Sequence, residues 1–227
     1  EYAVVRWDMA LPLPEGFGFP QGACIPEAYC TAYLNLFREA ELKPGETALI
    51  FAGASGVGIA AAQLASAHGA RVVATVRSAE KAEAVRRFGA SRVVNTREED
   101  IEQVFEQEKP NVVLDCVGGE QLGRCFTRMA RRGRWIMIAT LGGTEARLDL
   151  AALLRGGFML RGSTLRSRTE DFKAELLSSL RETVYPDFES GRIRPEIFAE
   201  FPAAEAEAAH ELLYRSRNTG KVILRFA

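Results

Sequence analysis

The six residues Gly53-Ala54-Ser55-Gly56-Val57-Gly58 constrain this chain more than any other stretch. They follow an apolar run, Thr47 to Ala52, of the kind that forms a strand buried on both faces of a parallel sheet. They open an alanine-rich stretch, Gly56 to His68, that reads as a helix. A glycine-rich run by itself says little; the same run at a strand-to-helix turn is a phosphate cradle. Small residues let the backbone approach a pyrophosphate. Free N–H groups at the helix start then face the phosphate oxygens, assisted by the helix dipole. Gly58 allows the helix to pack closely on the sheet. Ser55 replaces the usual second glycine, and its hydroxyl can donate to phosphate. No Lys-Ser/Thr pair follows, so the turn is not a mononucleotide P-loop.

Strands and helices alternate beyond this turn. Strands are expected at Arg71–Val76, Ser91–Val94, Asn111–Cys116, Gly133–Ala139 and Phe158–Leu165. Helices are expected at Glu80–Phe88, Glu98–Glu106, Glu120–Met129, near Leu148–Leu154 and at Glu170–Tyr185. The repeated pattern of about six strands predicts an α/β fold, a doubly wound parallel Rossmann sheet with helices on both faces. Before it, Tyr2 to Val5 reads as a short strand, and Ile25 to Ala40 as a helix with Ala28, Ala32, Leu34 and Leu36 on its apolar side. After it come a helix, Ala203–Tyr214, and a last strand, Lys221–Arg225.

The second strand ends Val76-Arg77-Ser78, with Lys81 one helical turn on and no acid before Glu80. Sites for NAD place an Asp or Glu here, on the ribose 2′-hydroxyl. A carboxylate would repel a 2′-phosphate, whereas Arg, Ser and Lys would hold it through charge-assisted hydrogen bonds. The expected cofactor is therefore NADPH.

Composition removes several classes. Lys and Arg number 29 against 30 Asp and Glu, with no basic stripe, which argues against nucleic-acid partners. No apolar run is long enough for a membrane helix, and no signal-peptide pattern stands at the N-terminus, where the first residue is Glu1. Cys24, Cys30, Cys116 and Cys125 match no zinc spacing, and with only His68 and His210 no metal site is expected. Reduced, mostly buried cysteines fit a cytoplasmic protein.

The chain resembles the zinc-independent quinone oxidoreductases of the medium-chain dehydrogenase/reductase superfamily, and within them the p53-inducible type. The resemblance runs along nearly the whole chain. It rests on Ala3-Val4-Val5 with Leu13-Pro14-Glu15-Gly16, Ile25-Pro26-Glu27-Ala28-Tyr29 with Thr31-Ala32-Tyr33, and Ser55-Gly56-Val57-Gly58. It continues through Leu114-Asp115-Cys116-Val117-Gly118-Gly119, Gly133-Arg134-Trp135, Gly162 to Arg168, and Asn218-Thr219-Gly220-Lys221-Val222. It implies that Thr31 lies near the nicotinamide and that Ala54, Ser55, Gly56, Val57 and Gly58 form the pyrophosphate turn. It implies that Arg77, Ser78 and Lys81 take the 2′-phosphate and that Cys116 and Val117 border the ribose. Thr140, Leu141, Leu165 and Ser167 would line the nicotinamide pocket, and Asn218 would approach from the tail. The Tyr that members carry after the third strand is Thr96 here.

The family has a preceding GroES-like catalytic domain on the order of a hundred residues. The resemblance divides this chain into a remnant of that domain (1–25), an NADPH-binding domain (26–195) and a segment returning to the catalytic domain (196–227). It implies hydride transfer to a quinone or other α,β-unsaturated carbonyl. It also implies a homodimer that continues the sheet through the strand Phe158–Leu165. No catalytic acid stands out. Two other functions stay open: a nucleotide-binding module without its own catalysis, and an enoyl reductase acting on carrier-bound acyl chains.

Overall fold

The computed structural model describes residues 2–226; Glu1 and Ala227 lie outside the described residues. Six parallel strands form the main sheet: β1 (Thr47–Ile50), β2 (Arg71–Val76), β3 (Arg92–Asn95), β4 (Val112–Asp115), β5 (Arg134–Met137) and β6 (Met159–Gly162). Their order is β3-β2-β1-β4-β5-β6. The chain winds outward from β1 in one direction, then returns to β4 and winds in the other. Such a reversal leaves a crevice at the carboxyl ends of β1 and β4.

The register brings Ala48 beside Val72 and Val112, and Leu49 beside Val73 and Val113. Successive side chains therefore feed two separate cores. Ala48, Ile50, Val72, Ala74, Leu114 and Ile136 pack on one face. Leu49, Val73, Val113 and Trp135 pack on the other, with Phe51, Phe105 and Phe126. Trp135 lies at the centre of that second core, stacked on Phe105 at a 5.5 Å centroid separation.

The helices are α1 (Phe19–Ala23), α2 (Cys30–Tyr33), α3 (Gly56–Ala67), α4 (Ala79–Arg87), α5 (Ile101–Glu108), α6 (Gly119–Cys125), α7 (Leu150–Gly156), α8 (Glu170–Glu189) and α9 (Ala206–Tyr214). The expected helix over Ile25–Ala40 is helical but not uniformly α. Turns of π-helix, Ile25–Tyr29 and Leu34–Glu39, flank α2. α8 runs past Tyr185, where the helix is expected to end, and through Pro186. Its buried stripe of Leu176, Leu180, Val184, Tyr185 and Phe188 spans the proline, so packing outweighs the lost N–H. The expected strands from Asn111, Gly133 and Phe158 are shorter than their apolar runs, and the helix expected from Glu98 begins at Ile101 behind its N-cap Asp100.

Two further expectations fail. Tyr2 to Val5 is not a strand: Tyr2 and Val4 are fully exposed, and no neighbouring strand among the described residues pairs with them. Apolar alternation alone does not make a strand without a ladder partner. Conversely, β7 (Ile197–Pro202) was not expected; it pairs in parallel with β8 (Lys221–Arg225). Its half-buried alternation is masked in the sequence by Glu196, Glu200 and Pro202.

Candidate nucleotide-binding site

The turn after β1 is shaped by close backbone approaches. Ala52 adopts a left-handed φ of 51°. The Gly53 N–H donates to the Thr75 carbonyl at 2.8 Å, tying the turn to β2. Ser55 is the N-cap of α3, and its Oγ accepts from the Gly58 N–H at 3.0 Å. The Ile59 N–H returns to the Ser55 carbonyl. The N–H group of Val57 is thus the one left open at the helix start, while that of Gly56 faces the Gly220 carbonyl in the bridge between Ser55 and Gly220. A Cβ on Gly58 would stand 2.4 Å from the Ala52 carbonyl oxygen and 2.8 Å from Gly53 backbone atoms. That glycine lets α3 lie against β1, as the sequence predicts.

Gly56 has a different reason. A Cβ there would meet Lys221 Cδ at 2.3 Å. Lys221, at the start of β8, lays its stem over the first turn of α3, and its ammonium pairs with Glu27 at 2.6 Å. The tail is fixed there by the Gly220 N–H, which donates to the Ala54 carbonyl at 2.9 Å. The contact of Lys221 with the glycine turn is one that sequence reasoning passed over, although the residue stands within a quoted motif. Only the long-range pairing reveals its place.

Two cavities run along the carboxyl edge of the sheet and share Phe51, Ala52, Ser55 and Leu141. The outer one, about 640 Å³, gathers Ala54, Arg77, Ser78, Lys81, Val117 and Asn218. The inner one, about 810 Å³, gathers Thr31, Val57, Gly58, Cys116 and Leu165. Gly56, Thr140 and Ser167 line neither. Gly56 is covered by Lys221, Thr140 is exposed beside Gly118, and Ser167 is exposed with its hydroxyl 2.5 Å from that of Thr164.

At the outer end, Arg77 Nη2 donates to Ser216 Oγ at 3.1 Å. Lys81 Nζ donates to the carbonyls of Ser216 and Asn218 at 2.6 and 2.8 Å. These partners are neutral, so two cations face the cavity without a carboxylate. Burial, and then the charge of Arg77, hold the Lys81 ammonium below the usual lysine range. Ser78 stands at the N-cap of α4, yet its side chain makes no capping bond. Arg97, just beyond the Thr96 that replaces the family's Tyr, adds a third basic group to this wall.

Between the two cavities, the end of β4 is held by Asp115. Its carboxylate accepts from the N–H groups of Val117 (2.7 Å) and Gly118 (3.1 Å), and from Trp135 Nε1 (2.9 Å). Burial pushes the Asp115 carboxyl up, and these three donors pull against it. Its role is to shape the turn that carries Cys116 and Val117. Burial raises the Cys116 thiol to about 11, so it is a neutral wall and not a nucleophile.

At the inner end the walls are mostly apolar. Asn35, 2% exposed, and Ser163, 6% exposed, also line this cavity, and neither Asn35 Oδ1 nor Ser163 Oγ has a hydrogen-bond partner. Among the described residues no group of three His, Cys, Asp or Glu side chains is placed to hold a metal ion. No helix among them is long and apolar enough to cross a membrane.

The residues fit a dinucleotide. The cradle at Gly58 cannot take a Cβ, the helix start opens onto the inner cavity at Val57, and cations stand at one end. Comparison with known proteins agrees. A family model described as zinc-binding dehydrogenase matches residues 56–182. The quinone oxidoreductase of Sus scrofa is 33% identical over 229 residues, covering 99% of this chain and 68% of its own length. The crystal structure of the Escherichia coli quinone oxidoreductase complexed with NADPH superposes with a TM-score of 0.84 at 29% identity, over 96% of this chain and 68% of that one. The apo JamJ enoyl reductase superposes at 0.81 and 26% identity, over 96% and 66%. The chain thus spans about two thirds of the length of these relatives. The family match over residues 56–182, the one-third identity along nearly all its residues and the close superposition make this chain a member of the quinone oxidoreductase family of the medium-chain dehydrogenase/reductase superfamily.

Proposed function

We propose that this chain is the nucleotide-binding part of an NADPH-dependent oxidoreductase that passes hydride to a quinone or another α,β-unsaturated carbonyl without zinc. The observation that carries the cofactor choice is the end of β2, where Arg77, Ser78 and Lys81 meet one cavity with no carboxylate among them. NADPH, when bound, supplies the hydride. The chain's own residues bind and orient it. The open N–H group of Val57, with Lys221 laid over the turn, takes the pyrophosphate, and Cys116 and Val117 border the ribose. Thr31, Leu141 and Leu165 shape the inner pocket, from which the apolar walls exclude water. Thr140 and Ser167, exposed here, join this pocket through backbone groups.

In this reading residues 26–195 form the nucleotide-binding domain, and 1–25 with 196–227 belong to a catalytic domain that closes the substrate pocket. The protein is cytoplasmic and binds small molecules, not nucleic acid. β6 is an edge strand that exposes Leu160, and two copies joined through β6 would form a homodimer. A monomeric mass in solution refutes that dimer.

The likeness to an enoyl reductase supports a second reading, reduction of a carrier-bound enoyl chain. Titration calorimetry tests the shared first step. NADPH should bind this chain at least about tenfold more tightly than NADH. Equal binding, or none, overturns the cofactor assignment. Turnover of a quinone rather than an enoyl thioester by the full protein then separates the two readings.

A further inference from the structure

We propose that Ser216 sets the preference for a 2′-phosphate, by holding Arg77 and Lys81 in place and adding a donor of its own; this rests on the NADPH reading above. Ser216 follows α9. Its N–H returns to the Leu213 carbonyl at 2.9 Å, and the N–H of Arg217 returns to the Leu212 carbonyl at 3.3 Å. This pair of bonds closes a helix at a left-handed residue, which is usually glycine. Here a serine takes that conformation, at a φ of 53°. A side chain at such a position is strained, so its presence calls for a reason outside the turn.

That reason lies in the outer cavity. Ser216 Oγ accepts from Arg77 Nη2 at 3.1 Å, and the Ser216 carbonyl accepts from Lys81 Nζ at 2.6 Å. One residue of the tail thus ties two cations, one from the end of β2 and one from α4. Burial, and then the charge of Arg77, weigh against the Lys81 ammonium, so without a tether the two cations would part into solvent. A carboxylate tether would cancel their charge; a hydroxyl and a carbonyl leave it for an anion. Donors remain on all three residues. Lys81 gives a second N–H to the Asn218 carbonyl at 2.8 Å and keeps another, Arg77 has further N–H groups, and Ser216 Oγ, accepting from Arg77, keeps its own hydrogen. All three line the outer cavity, and Ser216 is only half-buried, so an occupant can reach them. The Asn218 side chain does not compete, since its Nδ2 donates to the Gly220 carbonyl at 2.8 Å and holds the tail. A phosphomonoester, highly charged and rich in acceptor oxygens, takes these donors together, whereas a ribose hydroxyl cannot.

The test is calorimetry of NADPH and NADH against wild type and Ser216→Gly. Glycine accepts the left-handed turn and keeps the carbonyl that Lys81 uses, so only the hydroxyl is lost. NADPH affinity should fall about three- to tenfold, and NADH affinity should stay within about twofold of wild type. Ser216→Asn should retain most of the preference, because asparagine also tolerates this turn and carries both an acceptor and a donor. An unchanged ratio of the two affinities in Ser216→Gly overturns the inference. So does a parallel loss for both nucleotides, which would mean that Ser216 only closes the cavity wall. Equal binding of the two nucleotides by wild type, or none, refutes the NADPH reading itself, and this inference with it.

Discussion

Gly58→Ala and Gly56→Ala are the same chemical change two residues apart, and the structure predicts opposite outcomes. At Gly58 the new methyl meets three atoms of one backbone stretch: the Ala52 oxygen at 2.4 Å, and the carbonyl carbon and Cα of Gly53 at 2.8 Å. An ordinary C···O approach is about 3.3–3.6 Å, so α3 must retreat from β1 by roughly 1 Å. Eight buried residues of α3 move with it, from Gly58 to Ala65. Overpacking of this kind costs about 1–3 kcal/mol, against a gain of about 1 kcal/mol at most from alanine's helix propensity. A net loss of about 1–2 kcal/mol is expected in urea melts. The open N–H group of Val57 travels with the helix, so NADPH affinity should fall more than tenfold, since a displacement of about 1 Å is ruinous for a preformed site. At Gly56 the methyl meets only the flexible stem of Lys221. The lysine can swing aside, leaving stability within about 0.5 kcal/mol of wild type. NADPH affinity then falls only by what Lys221 contributes. Equal stability of the Gly58→Ala variant and wild type would refute the close-packing argument.

Three further outcomes are expected. Arg77→Ala should cost NADPH about tenfold in affinity and leave NADH nearly unchanged; calorimetry reads both, and a parallel loss would remove Arg77 from the phosphate site. Asp115→Ala strips the acceptor from two backbone N–H groups and the Trp135 indole, all within a buried turn. A loss of about 3 kcal/mol in chemical denaturation is expected, and less than 1 would mean that water replaces the carboxylate. Glu108 is pushed up by burial but drawn further down by hydrogen bonds from Arg92 and Arg71, ending below the usual carboxylate range. Its stabilising effect is therefore present above the unfolded carboxylate range, near pH 4.5, and fades as pH falls through the lower folded value. Glu108→Gln should lose about 1 kcal/mol at pH 7 and much less at pH 3, and a loss independent of pH would refute the ionic account.

Much of the site was legible because it is local. The strand, the glycine turn and the helix start are contiguous, and each residue's reason lies within a few positions of it. The basic end of β2 is similarly local. What the sequence hid depends on distance or on helical register. Lys221 reaches Gly56 only because β8 returns to the turn. Ala28, Ala32, Leu34 and Leu36 mark one helix well enough, but the π-turns within it leave no trace in that spacing. β7 exposes every second residue, Phe198 among them, so its apolar face is not marked in the sequence and it is recognised only beside β8. Tyr2 to Val5 fails in the opposite sense, since a strand-like composition there has no pairing partner.

The closure of the phosphate turn by the tail has a kinetic consequence. The Ala54 carbonyl is met by Gly220, and the Lys81 ammonium by Ser216 and Asn218, so contacts near the start of the sheet wait for residues far along the chain. Closing so long a loop makes these among the slow contacts of folding. The sheet and the glycine turn can assemble while the tail is still free, and the outer cavity gains its last wall only when β8 docks. In a refolding experiment, nucleotide capture should therefore lag behind burial of Trp135, and the lag would time the tail's arrival.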